Sequence, residues 1–156
     1  DRRVWPLTLE EWRKAMGRKD NNIPYDSAEG KTFLQGRVSS FDKAKQQAFW
    51  SFHDFLVQSK LAKKIEVRTK DALRNGTTVY HGRKAMLWVN VRTDEPKYLE
   101  IVFYTGLNNQ KTFPGTRPCW FRNNLCGGDQ FNLTPSTLTT AQQFAQQSAQ
   151  IIDQEE

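Results

Sequence analysis

A chain of 156 residues is long enough to bury a core as one domain, and 37% hydrophobic with 12% aromatic residues excludes a disordered chain. No apolar run reaches membrane-spanning length, and the opening DRRVWPLTLEEW lacks the apolar core of a signal peptide. The net charge of +6 is polarised: all 23 basic residues and 13 of the 17 acids precede residue 123, which leaves +10 before that point and −4 after it.

In chain order, Thr8 caps a short amphipathic helix with Glu11 in capping-box spacing and Leu9, Trp12 and Met16 on one face. Residues 18–30 are rich in turn formers and read as a loop, and 31–38 as a brief extended or turn segment. The longest helical pattern follows, SSFDKAKQQAFWSFHDFLVQSKLA at 39–62. Phe41, Ala44, Ala48, Phe52 and Phe55 recur at steps of three or four, while Trp50, His53 and Val57 form a second stripe. A helix with two apolar stripes packs on two sides, so the rest of the chain is expected to organise around it. Residues 63–73 are mixed and basic and read as a second short helix.

Asn75-Gly76 is a strong turn signal, and the clearest β region comes after it. Residues 77–81 form a short strand. In 83–93, Leu87, Val89 and Val91 oppose Met86 and Trp88; after a turn at 94–97, Leu99, Ile101 and Phe103 oppose Tyr98, Glu100, Val102 and Tyr104. The two runs predict an antiparallel hairpin. Residues 106–132 read as a loop anchored by Trp120 and Phe121. A last helix starts near Pro135 with Thr134 as cap, and Leu138, Ala141, Ala145, Ser148 and Ile152 give it a mild apolar face suited to loose packing or to a partner. The fold class is α+β: a central long helix packed on a small antiparallel β-meander, with flanking N- and C-terminal helices. One domain spans 1–156, with 1–132 as the basic body and 133–156 as the C-terminal helix and acidic tail.

A basic body suggests a polyanionic partner, nucleic acid, with RNA preferred over DNA. Cys119 and Cys126, spaced C-x6-C, lack the two further ligands of a metal site; a disulfide and two free thiols both suit them. Asn75-Gly76-Thr77 and Asn132-Leu133-Thr134 match the glycosylation sequon. There is no HExxH, P-loop, GxGxxG or nucleophile elbow, and no metal or cofactor is expected. What remains is a pair of histidines among basic residues. Metal-independent RNA cleavage needs a base for the 2′-hydroxyl, an acid for the leaving oxygen and a cation for the phosphorane charge. His53 and His81 are the candidate acid and base, Arg83 the direct phosphate contact and Lys84 a steering charge. Trp88, Tyr98 and Tyr104 are candidate base-stacking residues if their sheet face is open. The bland reading makes His53 a core histidine and His81 a turn residue.

The stretches GKTFLQGRVSSFDKAKQQAFW and DALRNGTTVY, within residues 23–80, resemble the lead-in of nuclease bacteriocins and related polymorphic toxins. The positions that carry the likeness are Gly30, Lys31, Phe33, Phe41, Asp42, Phe49, Trp50 and Gly76. The paired-His metal motif of that family does not follow, since His81 precedes Gly82 and Arg83. The resemblance therefore implies a toxin setting without metal-dependent DNA cleavage: a domain secreted and delivered into a target-cell cytoplasm, with an acidic cognate immunity protein as partner. The reading is a toxin-type ribonuclease, with a non-catalytic nucleic-acid-binding module or a protein-interaction domain as alternatives.

Overall fold

The structure, a computed structural model, describes residues 22–70, 75–106, 113–121 and 124–155, and within 117–129 the backbone alone. The predicted helix at 8–17 lies outside the described residues. The elements run β1 (Asn22–Pro24), α1 (Ala28–Val38), α2 (Lys43–Gln58), β2 (Lys64–Arg68), β3 (Gly76–His81), β4 (Lys84–Arg92), β5 (Tyr98–Tyr104), β6 (Arg117–Phe121), β7 (Asn124–Leu133), a 3₁₀ turn at Pro135–Thr137, and α3 (Leu138–Glu155).

The seven strands make one antiparallel sheet in the order β1-β2-β3-β4-β5-β7-β6. This corrects the expected architecture. The sheet, rather than the helix at 39–62, is the element the chain is built around, and it is no small meander. The predicted hairpin is its centre, with Leu87 opposite Phe103, Val89 opposite Ile101 and Val91 opposite Leu99. Residues 63–73 do not form a helix, because Ile65 and Val67 alternate inward and pair with Val79 and Thr77 as β2. The stretch at 106–132 contains a hairpin, β6 and β7, where a loop is expected. Residues 31–38 belong to α1, whose N-cap Ser27 accepts from the Gly30 amide at 3.0 Å.

Helix α2 starts at Asp42, whose side chain accepts from the Lys45 amide at 2.8 Å. It buries one stripe, Ala48, Phe49, Phe52, His53 and Leu56, while Ala44 is exposed and Val57 is 51% exposed. The second stripe of α2 is therefore packed only in part: His53 is buried, Trp50 rests half-buried against the core, and Val57 faces solvent. Its main helical neighbour is α3, and α3 is the helix that lies against β4 and β5. The reason is in α3's own stripe: Ala141, Phe144, Ala145, Ser148, Ile151 and Ile152 are buried, so the C-terminal helix is core and not loosely packed. Small residues let it approach the sheet closely, and Phe144 packs edge-on to Phe103 and Phe131. Among the described residues no helix is long and apolar enough to cross a membrane.

Register divides the sheet into two faces. Thr77, Val79, Leu87, Val89, Val91, Leu99, Ile101, Phe103, Phe131 and Leu133 share the helix-covered face. On the other face one row runs Arg68, Gly76, Asn90, Glu100, Asn132 across five strands. A Cβ on Gly76 would lie 1.8 Å from the Val89 carbonyl oxygen, so no larger residue fits there. With no side chain between them, Arg68 reaches over β3 and donates to Asn90 Oδ1 at 2.8 Å.

Candidate functional site at the β3–β4 turn

Strands β3 and β4 are joined by Gly82-Arg83, with Gly82 at φ 68°, a conformation glycine adopts freely. The turn places His81 opposite Lys84 in register and leaves Arg83 exposed at its tip. A shift in register between Val79 and Tyr80 breaks the alternation of β4, so Lys84 falls on the side of His81. The last turn of α3 meets them there. His81 Nε2 lies 2.8 Å from Asp153 Oδ1, and Lys84 Nζ lies 3.2 Å from Glu155 Oε1. Tyr104 donates its hydroxyl hydrogen to the same Glu155 oxygen at 2.6 Å, and Ser148 donates to the Tyr104 carbonyl at 2.8 Å.

The histidine is held at both nitrogens. Nδ1 lies 2.8 Å from the Leu61 carbonyl oxygen, which can only accept, so Nδ1 carries a hydrogen. The Asp153 carboxylate also accepts, so the imidazolium satisfies both contacts at once. The carbonyl fixes the ring and leaves Nε2 as the nitrogen turned toward Asp153. Asp153 is 62% exposed, against 13% for the His81 side chain, so the carboxylate can turn away without disturbing the core.

The structure brings together four of the sequence-predicted residues: His81, Lys84 and Tyr104 at the end of α3, and Arg83 exposed in the turn beside them. It does not bring in His53. That side chain is 0% exposed, with Nδ1 donating to the Phe49 carbonyl at 2.8 Å and Nε2 accepting from the Thr77 hydroxyl at 2.8 Å. Its ring also stacks on Tyr25 at 5.3 Å between centroids. Burial pushes its pKa from 6.5 to about 4; the bond to the Phe49 carbonyl opposes the fall and the nearby Lys31 charge adds to it. Thr77 and His81 stand four positions apart along β3, about 13 Å, so the expected shared cleft of two histidines is not formed. His53 is a satisfied core histidine, neutral at physiological pH.

The expected stacking platform is likewise closed. Trp88 and Tyr104 are each 1% exposed, and the Tyr104 hydroxyl is engaged with Glu155. Tyr98 is half-buried, lies under the Arg92 guanidinium at 5.3 Å, and accepts from Arg92 Nη1 at 3.2 Å. The side chains of Cys119 and Cys126 lie outside the described residues, the two positions falling in β6 and β7. Among the described residues no group of three or more His, Cys, Asp or Glu is placed to hold a metal ion.

Asp153 and Glu155 are absent from the predicted site because the end of the chain reads as an acidic tail. The signal that places Glu155 is helical phase. Ala141, Ala145, Ser148, Ile152 and Glu155 follow steps of four and three, so the last acid continues the core-facing stripe. No protein-family model matches the chain, and no curated protein and no solved structure matches it.

Proposed function

We propose that this domain cleaves RNA by acid–base chemistry at the β3–β4 turn, with one histidine rather than two. The observation that supports the reading is the hydrogen-bonded His81–Asp153 pair, its ring anchored by a backbone carbonyl, beside exposed Arg83. Asp153 turns from His81 and takes the 2′-hydroxyl proton, and the 2′-oxygen attacks phosphorus. His81 gives its Nε2 proton to the leaving 5′-oxygen, so the products are a 2′,3′-cyclic phosphate and a 5′-hydroxyl. Arg83 contacts the phosphate, where a guanidinium can make two parallel bonds. Lys84 and Tyr104 hold Glu155 and set the end of α3 in place. In a toxin setting, an acidic inhibitor would complement the basic body.

The test is purified protein with total RNA in EDTA. Wild type should cleave with a bell-shaped pH dependence, and His81→Ala and Asp153→Asn should each lower the rate by ~10²–10⁴-fold with the fold retained. Cleavage undiminished in both variants removes the mechanism. A second reading treats the same contacts as a clamp between hairpin and helix, since each of these side chains already has an intramolecular partner. Variants that lower the melting temperature while wild type leaves RNA intact would establish the clamp alone.

A further inference from the structure

Helix α2 ends on a residue that stability alone does not favour. Its C-cap is Ser59, and the next residue, Lys60, has φ 63°, the left-handed conformation. The Lys60 amide donates to the Val57 carbonyl and the Ala62 amide to the Leu56 carbonyl, each at 3.1 Å, a helix stop of the kind glycine usually fills. A side chain there strains the backbone, and strain of this sort collects at functional positions. Among the described residues Lys60 is the one non-glycine residue at positive φ.

The loop that begins at this stop runs against the candidate site. Its Leu61 carbonyl is the acceptor that holds His81 Nδ1, and the Lys63 amide donates to the Tyr80 carbonyl at 2.7 Å. The backbone is thus tied to β3 at residues 80 and 81, while Lys60 and Lys63 are exposed. No acid occurs between Asp54 and Glu66. Glu66 is engaged with Lys64 at 3.2 Å and accepts from the Tyr80 hydroxyl at 3.0 Å. Lys60 and Lys63 have no acidic partner among the described residues. With Arg83 exposed in the turn, cations flank His81 from the loop and from the turn. A lysine ammonium is a point charge on a flexible stem, suited to a phosphate that needs no fixed geometry.

We infer that Lys60 and Lys63 form a second phosphate subsite, which holds the RNA backbone next to the phosphate at Arg83 and selects chains longer than a dinucleotide. The choice of RNA rests on the cleavage proposed above, whereas the anion site rests on the loop.

The experiment measures binding of the full chain to an RNA of about 12 nucleotides, 2′-O-methylated throughout so that it cannot be cut, from about 50 to 200 mM salt. Lys60→Gly/Lys63→Ala should bind more weakly, and its slope of log affinity against log salt should fall in magnitude by ~1.4, two phosphates at ~0.7 each for a single strand. Glycine suits φ 63°, so Lys60→Gly alone should melt at or above the wild-type temperature, which makes the lost binding a loss of charge and not of fold. Lys43→Ala/Lys45→Ala removes two lysines at the other end of α2, a helix of 16 residues and so ~24 Å long, and should leave the slope unchanged. With cleavable RNA, the loop variant should raise KM for a long chain ~5-fold at constant kcat and leave a dinucleotide unaffected. An unchanged slope in the loop variant, an equal fall in the Lys43/Lys45 variant, or no binding of wild type to the oligonucleotide would overturn the subsite. Binding weakened by the loop variant while wild type leaves cleavable RNA intact would keep the subsite and remove the cleavage reading; cleavage that depends on His81 with a slope indifferent to the loop would do the reverse.

Discussion

On one face of the sheet, Val79, Leu87, Val89, Ile101 and Phe103 meet the helices; on the other, Arg68, Asn90 and Glu100 form a directed chain of hydrogen bonds. The first face gains from contacts without direction, so many apolar residues would serve at each position. The second is set by donor and acceptor identity, so exchanging one member changes what its neighbours can do. The same strands thus carry a stabilising surface and a chemically specific one, back to back.

The largest expected effect comes from cutting into the apolar face. Phe52 is 0% exposed in the α2 stripe, and Phe52→Ala should cost ~3–5 kcal/mol in denaturant melts. A loss under about 1 kcal/mol would place that ring outside the core.

Next comes the polar exception on the apolar side, His53. Its folded pKa of about 4 lies below the unfolded value of 6.5, so the unfolded chain binds more protons between those limits. Its contribution is fully present above pH 6.5 and is lost as pH falls toward 4, by about 3 kcal/mol in all. Wild type and His53→Gln, melted across that window, should differ in slope; parallel curves would show that His53 is not buried neutral.

On the polar face, Arg68→Leu removes the donor to Asn90 Oδ1 and to the Thr77 and Val89 carbonyl oxygens. It should cost about 2 kcal/mol, because buried acceptors lose their partner. The smallest effect belongs to Glu100→Gln, within about 1 kcal/mol of wild type, since Asn90 keeps an acceptor. A large loss there would mean that the carboxylate charge of Glu100, and not only its acceptor for Asn90, holds that face together.

The hairpin at the centre of the sheet was legible in the sequence because Leu87, Val89 and Val91 in one run and Leu99, Ile101 and Phe103 in the other recur at every second position. The wider sheet was not. In β2 only Ile65 and Val67 mark the alternation, among the basic residues Lys64 and Arg68, and the burial of Arg68 depends on Asn90, 22 residues away. In α1, Gly30 and Gly36 weaken the helical pattern, yet a Cβ on Gly30 would lie 2.3 Å from the Pro24 carbonyl oxygen, a close approach that favours glycine there. The candidate site was half legible. His81, Arg83 and Lys84 are adjacent in sequence, whereas their acidic partners arrive about 70 residues later and depend on how α3 docks. His53 misled because a helix histidine beside aromatic residues reads the same whether its ring faces solvent or a threonine on a neighbouring strand.

Among the described strands, the two margins of the sheet are β1 and β6. Each contains a proline, Pro24 in β1 and Pro118 in β6. A proline has no N–H to offer an incoming strand, and β1 is only three residues long. The register of β6 with β7 is also broken between Pro118 and Trp120. Both borders are therefore poor templates for strand addition, which disfavours edge-to-edge pairing of a sheet rich in β-branched and aromatic residues.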